Sequence, residues 1–392
     1  MDLNAQKYDT PESLYSILNN ALCIWESLYG SRPSETNLSL HFQGVIQRAA
    51  EKWNRPVVIL IDEYDKPMLQ AIGNEPLLND YRNTLKAFYG VMKSCDKYIQ
   101  FALLTGVTKF SKVSVFSDLN NLMDISIDNR FANICGITEK ELLSNFKEDI
   151  VELGQKNGMT EEETKAYLKD MYDGYHFVEY GDDIYNPFSL LNTFAKMKFG
   201  SYWFETGTPT FLVELLKHSE YDLHRLTEEM TSADSLGGID TMYSNPIPIL
   251  YQSGYLTIKG YDKEFQVYYL GFPNKEVEEG FTKFLLPCYA HLQTGNPSFE
   301  IMSFVKDVRN GDINAFLKRL QSFFADTPYE LVKDLELHYQ NVLFIVFKLV
   351  GFYVKAEYHT SQGRIDLVLR QVYLCNGIQT EWHGGRGFAA NQ

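Results

Sequence analysis

No Gly-Lys dipeptide occurs anywhere in the 392 residues of this chain, so it carries no glycine-rich loop closing on a lysine, the usual backbone cradle for nucleotide phosphates. Cysteine is sparse and scattered: Cys23, Cys95, Cys135, Cys288 and Cys375 are odd in number and never spaced Cys-x-x-Cys. That argues against a disulfide framework or a zinc knuckle and fits a reducing cytoplasm. Long apolar runs are also missing. The most apolar stretch, 342–354, is interrupted by Lys348 and too short to span a bilayer, and the first residues lack a basic-then-apolar signal pattern. A soluble, cytoplasmic chain with no membrane partner is expected. Positive charge is in deficit, with 36 Lys and Arg against 51 Asp and Glu for a formal net charge of -15. This disfavours a surface that grips nucleic acid everywhere and confines any DNA or RNA contact to a local groove.

What is present is ordinary globular composition, 45% hydrophobic and 22% charged, with length for two or three domains. The 26 Tyr and 26 Phe are spread evenly, which fits core filling better than base stacking. The most informative stretch is Pro56 to Asp65, Pro-Val-Val-Ile-Leu-Ile-Asp-Glu-Tyr-Asp. It looks like a Walker B strand, apolar enough over Val57 to Ile61 to be covered on both faces. Ending a parallel strand in two acids puts both carboxylates at the sheet's carboxyl edge, where ligands bind. Asp62 would hold Mg²⁺ through water and Glu63 would polarise an attacking water. The alternative is a core strand ending in a solvated acidic turn.

Around that strand, Thr10-Pro11 opens a helix through about Leu28, and a second helix runs from about Leu38 to Trp53. A helix near Tyr81 to Lys93, a strand Ile99 to Leu104 ending in Thr105-Gly106, and a short strand around Met123 to Ile127 follow. This alternation predicts a parallel α/β sheet. From Gly136 the pattern turns helical, with capping boxes at Thr138-x-x-Glu141 and Thr160-x-x-Glu163. Two short strands, Tyr255 to Lys259 and Gln266 to Leu270, flank a turn at Gly260-Tyr261-Asp262 and could form the wing of a winged-helix fold, a nucleic-acid or protein contact. An apolar helix to Leu349 then leads to strands Phe352 to Glu357 and Arg364 to Leu369.

Three stretches together resemble a bacterial family that couples an AAA-ATPase-like domain to a C-terminal nuclease of the PD-(D/E)XK superfamily. They are Ile61-Asp62-Glu63-Tyr64-Asp65-Lys66-Pro67; Tyr172-Asp173-Gly174-Tyr175-His176-Phe177 with Tyr185-Asn186-Pro187-Phe188; and Gly271-Phe272-Pro273-Asn274-Lys275-Glu276-Val277, followed later by Gly363-Arg364-Ile365-Asp366-Leu367-Val368. The resemblance implies ATP and Mg²⁺ as cofactors of intact relatives, with Thr105 as a polar sensor residue at the end of the strand beside Asp62. A hydroxyl capping the turn before Gly106 is the other reading of Thr105. Lys109, Lys112 and Arg130 could face a γ-phosphate or simply be solvated. In the nuclease part the resemblance implies metal binding by Glu336 and Asp366, since clustered acids neutralise Mg²⁺ while leaving room for water and phosphate.

Both ends depart from the pattern. The chain starts at Met1-Asp2-Leu3, apparently downstream of the family's Gly-Lys-Ser loop, so weak or absent ATP binding is expected. The sheet should lack its P-loop strand and show unpaired edges and exposed apolar surface. No Glu-x-Lys follows Asp366. Residues 371–392 have no structural periodicity, and a one-base shift with free codon choice could encode a strand with the missing Glu-x-Lys, which suggests a frameshifted tail. The expected organisation is an ATPase-like core without its phosphate loop (1–135), a helical and winged-helix-like domain (136–271), a truncated α/β nuclease-like domain (272–370) and the tail (371–392). The expected function is that of an ATPase-nuclease relative impaired in ATP hydrolysis and cleavage, able to contact DNA or RNA through the winged-helix or nuclease region, and able to oligomerise. The alternative is a non-enzymatic protein- or nucleic-acid-interaction module that retains the fold. A metal-independent hydrolase has little support, because no Ser or Cys nucleophile sits in a recognisable elbow.

Overall fold

Pro11, pre-set at a helical φ and lacking an N–H that the first turn would leave orphaned, opens α1 (Pro11–Tyr29). Leu14, Leu18 and Leu22 recur every fourth residue and are buried, so one stripe of α1 packs toward α2 (Leu38–Trp53). Asn37 caps α2 by accepting from the Leu40 N–H at 3.0 Å. Then come β1 (Val57–Ile61), α3 (Lys66–Gln70), α4 (Glu75–Ser94) and β2 (Ile99–Leu104). The start of α4 is Glu75 rather than Tyr81, because Asn74 caps the Leu77 N–H and a proline occupies the first turn. Phe42 stacks on Phe88 with centroids 4.4 Å apart, joining α2 to α4 in the core. This computed structural model describes residues 1–109, 121–205, 210–236, 245–289, 297–325, 335–351, 353–360 and 363–370.

β1 and β2 run parallel, with Ile59 opposite Ala102 and Ile61 opposite Leu104. Only one face of the pair is covered by described residues. Ile59 and Ile61 are buried, whereas Val58 and Leu60 are 56% exposed and share their face with the exposed Phe101 and Leu103. The expectation of a strand covered on both faces is therefore corrected, and the expected exposed apolar surface is present. The predicted strand at Met123 to Ile127 is also corrected. There Asp124 Oδ1 accepts from the Ser126 N–H at 3.0 Å and the Ile125 carbonyl accepts from Asp128, which folds the segment into turns.

Packing groups the chain into two units, Met1–Asp128 with Ser232–Ser253, and Asn129–Thr231 with Gly254–Gln392. In the second, β3 (Ile137–Thr138) is followed by α5 (Glu139–Asn145), α6 (Lys147–Asn157) and α7 (Glu161–Tyr172), and β4 (Ile184–Tyr185) returns antiparallel to β3. Thr138 and Thr160 make the two predicted capping boxes. Each hydroxyl accepts from the Glu141 or Glu163 N–H at 3.2 Å, and each glutamate accepts in return. Next are α8 (Pro187–Lys196), α9 (Tyr202–Glu205), α10 (Thr210–His218) and β5 (Glu229–Ser232); α11 (Ala233–Leu236) and α12 (Ile247–Gln252) belong to the first unit.

The predicted hairpin forms from β6 (Thr257–Asp262) and β7 (Val267–Gly271), with β7 lying between β5 and β6. Its turn lies beyond the predicted Gly260-Tyr261-Asp262, because Asp262 Oδ1 accepts from the Glu264 and Phe265 N–H groups at 2.9 and 3.1 Å, and Gln266 takes a left-handed φ of 54°. The remaining elements are α13 (Lys275–Tyr289), α14 (Pro297–Arg309), α15 (Ile313–Ala325), α16 (Leu335–Val350), and the antiparallel pair β8 (Tyr353–Thr360) and β9 (Gly363–Arg370). Residues 371–392 lie outside the described part. No helix among the described residues is long and apolar enough to cross a membrane.

The motifs of the second unit interlock. Asn186 donates its N–H to the Tyr172 carbonyl at 2.9 Å and caps α8, while Asn274 caps α13 and donates to the Asp173 carbonyl at 2.9 Å. Glu276, fully buried, accepts from the Ser189 hydroxyl at 2.9 Å and the Trp203 N–H at 3.0 Å. Lys259 donates to the Pro273 carbonyl at 2.9 Å. Gly174 has a φ of 92°, and a Cβ there would fall 2.3 Å from the Pro273 oxygen. Gly174→Ala thus meets both a forbidden conformation and backbone, and we expect it to cost at least about 2 kcal/mol. A lower urea midpoint for the second unit, followed by hydrogen exchange of α7 and α13 amides, checks it; an unchanged midpoint refutes the interlock.

Candidate functional site

The carboxyl end of β1 builds a compact polar rim in the first unit. Asp62 continues the strand, with its N–H donating to the Met1 carbonyl at 2.9 Å and its carbonyl accepting from the Leu3 N–H at 3.1 Å. Thr105, at the end of the neighbouring parallel strand, donates its hydroxyl to Asp62 Oδ1. Thr105 and Asp62 are thus brought together across the sheet rim. The backbone then turns sharply. Glu63 holds a left-handed φ of 55°, a conformation that costs a residue with a Cβ about 1 kcal/mol.

The rest of the motif ties this turn to the loop after β2. Tyr64 donates its N–H to the Thr105 carbonyl at 2.9 Å and its hydroxyl to the Thr108 carbonyl at 2.8 Å. Asp65, fully buried, accepts from the Val107 N–H at 3.2 Å, the Thr108 N–H at 2.5 Å and the Thr108 hydroxyl at 2.6 Å. Gly106 is required at the bend, since a Cβ there would lie 2.3 Å from Asp65 Oδ1. Sequence reasoning singled out Asp62 and Glu63 and missed Asp65 as the group that holds the loop. Nothing in the sequence marks Asp65, four residues past the end of β1, as buried; its role shows only in the three donors that the fold brings to it.

Electrostatics follow from this burial. Desolvation pushes the Glu63 carboxyl above the usual carboxylate range, and the charges of Asp65 and Asp62 push the same way. Glu63 Oε2 is buried with no hydrogen-bond partner among the described residues. Asp65 is also raised by burial, against the opposing pull of its hydrogen bonds from Thr108. Oxygen donors, an orphaned buried carboxylate oxygen and closely spaced acids suit a hard cation such as Mg²⁺. The phosphates of a nucleotide fit less well, because the chain has no Gly-Lys to cradle them.

The other predicted residues fare differently. Lys109 gives its ammonium to Asp124, Arg130 lies over the Phe131 ring at 5.6 Å, and Lys112 lies outside the described residues. Glu336 is exposed in the first turn of α16, and Asp366 lies on β9 with its side chain outside the described part. A further group, Glu26, Glu35 and His41, has ligand atoms within 4.8 Å of one another. Both Glu35 oxygens are taken by the Arg48 guanidinium and His41 faces Glu26 at 2.5 Å, so an ion-pair network, with its own cation already in place, accounts for that group.

Residues 1–116 match the family described as predicted AAA-ATPase, and residues 334–380 match the PD-(D/E)XK nuclease superfamily. Both domains of a family that couples an AAA-ATPase-like domain to a C-terminal PD-(D/E)XK nuclease domain are thus matched within this chain. It is 33% identical over 361 residues to an uncharacterized protein in the vnfD 5′ region of Azotobacter chroococcum mcd 1, across 89% of this chain and 66% of that protein. The chain thus spans just under two thirds of that relative's length. The nuclease match continues past Arg370 into the segment read as a frameshifted tail. No solved structure matches.

The raised Glu63 carboxyl gives a pH signature. A carboxyl raised on folding binds its proton more tightly in the folded state, so stability falls as pH rises through the raised value and returns as pH falls toward the ordinary glutamate range. Glu63→Gln removes the buried charge. It should therefore raise the melting temperature of the first unit by about 1–3 °C at neutral pH, with the gain shrinking as the medium is acidified. Calorimetry of both proteins across mildly acidic to neutral pH tests this, and a gain independent of pH rules out the charge as its cause.

Proposed function

We propose that the first unit is the metal-binding, water-activating half of an ATPase site, its Asp62–Glu63 pair being a Walker B motif. Asp62 would hold Mg²⁺ through water, Thr105 would orient that carboxylate as a sensor, and Glu63 would take a proton from the attacking water. The observation that carries this reading is the meeting of Asp62 with Thr105 at the carboxyl rim of two parallel strands, beside a Glu63 whose buried oxygen has no partner among the described residues. A solvated acidic turn would have no reason to hold a left-handed glutamate against a buried aspartate.

In intact relatives such a site would drive nucleic-acid processing by the C-terminal segment, with Glu336 and Asp366 as metal ligands and DNA or RNA as substrate. In this chain the same chemistry is impaired. Without a Gly-Lys loop the β- and γ-phosphates lose their main ligands, and without a Glu-x-Lys after Asp366 the nuclease lacks its charge-stabilising lysine. The β6–β7 hairpin would serve as the wing of a winged-helix-like segment. A second reading, a non-enzymatic interaction module, is favoured by the exposed Val58, Leu60, Phe101 and Leu103 face, an apolar patch of the kind that marks a contact surface.

Titration with Mn²⁺ as a paramagnetic stand-in tests the metal half. Binding should be saturable and at least about tenfold weaker in Asp62→Asn. Equal binding by the two proteins removes Asp62 as a ligand. Mg·ATP should show no saturable binding below about 1 mM, roughly -4 kcal/mol. Micromolar binding would instead show that the phosphates find a cradle other than a Gly-Lys loop.

A further inference from the structure

The β6–β7 hairpin carries an exposed aromatic tip with the wrong charge for nucleic acid. Phe265 at the turn is 71% exposed and Tyr180, on the loop before β4, is 53% exposed. Tyr261 packs against Tyr268 with centroids 4.8 Å apart and the rings tilted by 37°, and the Tyr268 hydroxyl donates to Glu179 at 2.9 Å, which binds the 179–180 loop to the hairpin. Three carboxylates, Glu179, Asp262 and Glu264, stand in these two segments with two lysines, Lys259 and Lys263. Lys259, the other lysine of the hairpin, points its ammonium at the Pro273 carbonyl. Aromatic faces would suit stacked bases, yet phosphates approaching here meet carboxylates, and counterion release has almost no cation to work with.

A cation is already seated on this surface. The Lys263 Nζ lies 5.0 Å from the centroid of the Tyr180 ring, and Glu179 precedes Tyr180 in the same loop. An ammonium over an aromatic face is an arrangement by which proteins hold lysine, arginine and methylated ammonium groups. From this geometry we propose that the hairpin tip is a docking site for a Lys/Arg-rich polypeptide segment of a partner protein, whose cations take the Tyr180 face that Lys263 covers in the free chain. Charge complementarity selects the occupant: exposed rings and carboxylates attract cationic side chains and repel a nucleic-acid backbone. The proposal goes beyond the Asp62–Glu63 reading and does not depend on it.

Fluorescence anisotropy of the full chain with a labelled Lys/Arg peptide, and separately with a labelled oligo-dT strand, tests the site. Tyr180→Ala and Phe265→Ala leave the net charge unchanged and should each weaken peptide binding about two- to fivefold, whereas Tyr180→Phe, which keeps the ring, should bind like the parent. Lys263→Ala should tighten peptide binding by a similar factor, since it removes the internal competitor and a like charge. No peptide binding overturns the proposal. So does binding that is indifferent to both alanine variants, which would be general attraction to an acidic protein. Oligo-dT binding that weakens in Lys263→Ala would assign the tip to nucleic acid instead.

Discussion

The first unit depends on one buried carboxylate. Asp65 has no exposed surface, and taking a charge of that kind out of water costs several kcal/mol unless donors replace the lost hydration. Val107 and Thr108 supply three such donors from the loop after β2, so loop and strand end are fixed against each other by a group that neither can abandon. That fixation sets the neighbouring residues. With Tyr64 pinned to Thr105 and Thr108, the chain passes through Glu63 in a left-handed turn, with Asp62 toward Thr105 and Glu63 partly buried among like charges. The rim thus gathers Asp62, Glu63 and Asp65 at one strand end, with burial raising the Glu63 and Asp65 carboxyls above their ordinary range.

The sheet that carries the rim is half covered. A five-residue run of Val, Ile and Leu without alternation predicts burial on both faces, since nothing in it marks one side as polar. The described residues cover the Ile59 face and leave the Val58 face open. Periodicity could report that both faces were meant to be dry. It could not report what supplies the cover, because burial belongs to the packed assembly and a strand's sequence encodes only the demand for it.

Local signals were legible where the physics is local. Helix starts at Pro11, Thr138 and Thr160 followed from capping chemistry that involves four consecutive residues. The turn of the β6–β7 hairpin was misplaced because Gly260 drew attention as a turn former, while its actual use is to sit against the Tyr269 ring and Asp262 makes the bend. The middle motifs were legible as a resemblance but not in their physical role. Tyr172 to Gly174, Asn186 and Pro273 to Glu276 are separated by long stretches of chain, and only the fold shows that they cap, buttress and hydrogen-bond one another. Polar residues in shared motifs invite a catalytic reading, and here most of those polar atoms are spent on backbone groups of the other motifs.

Charge distribution then separates regions that composition averages together. A net charge of -15 says only that no global attraction for nucleic acid exists. At the hairpin the deficit is local, because Lys259 is turned onto a carbonyl and Lys263 onto a tyrosine, leaving the tip to Phe265 and carboxylates. A wing that contacts DNA needs its cations free to meet phosphates. Both lysines of this hairpin already have partners within the fold, so the same strands that resemble a nucleic-acid wing in sequence present an aromatic, acidic surface in three dimensions, and the chemistry that can approach it is cationic.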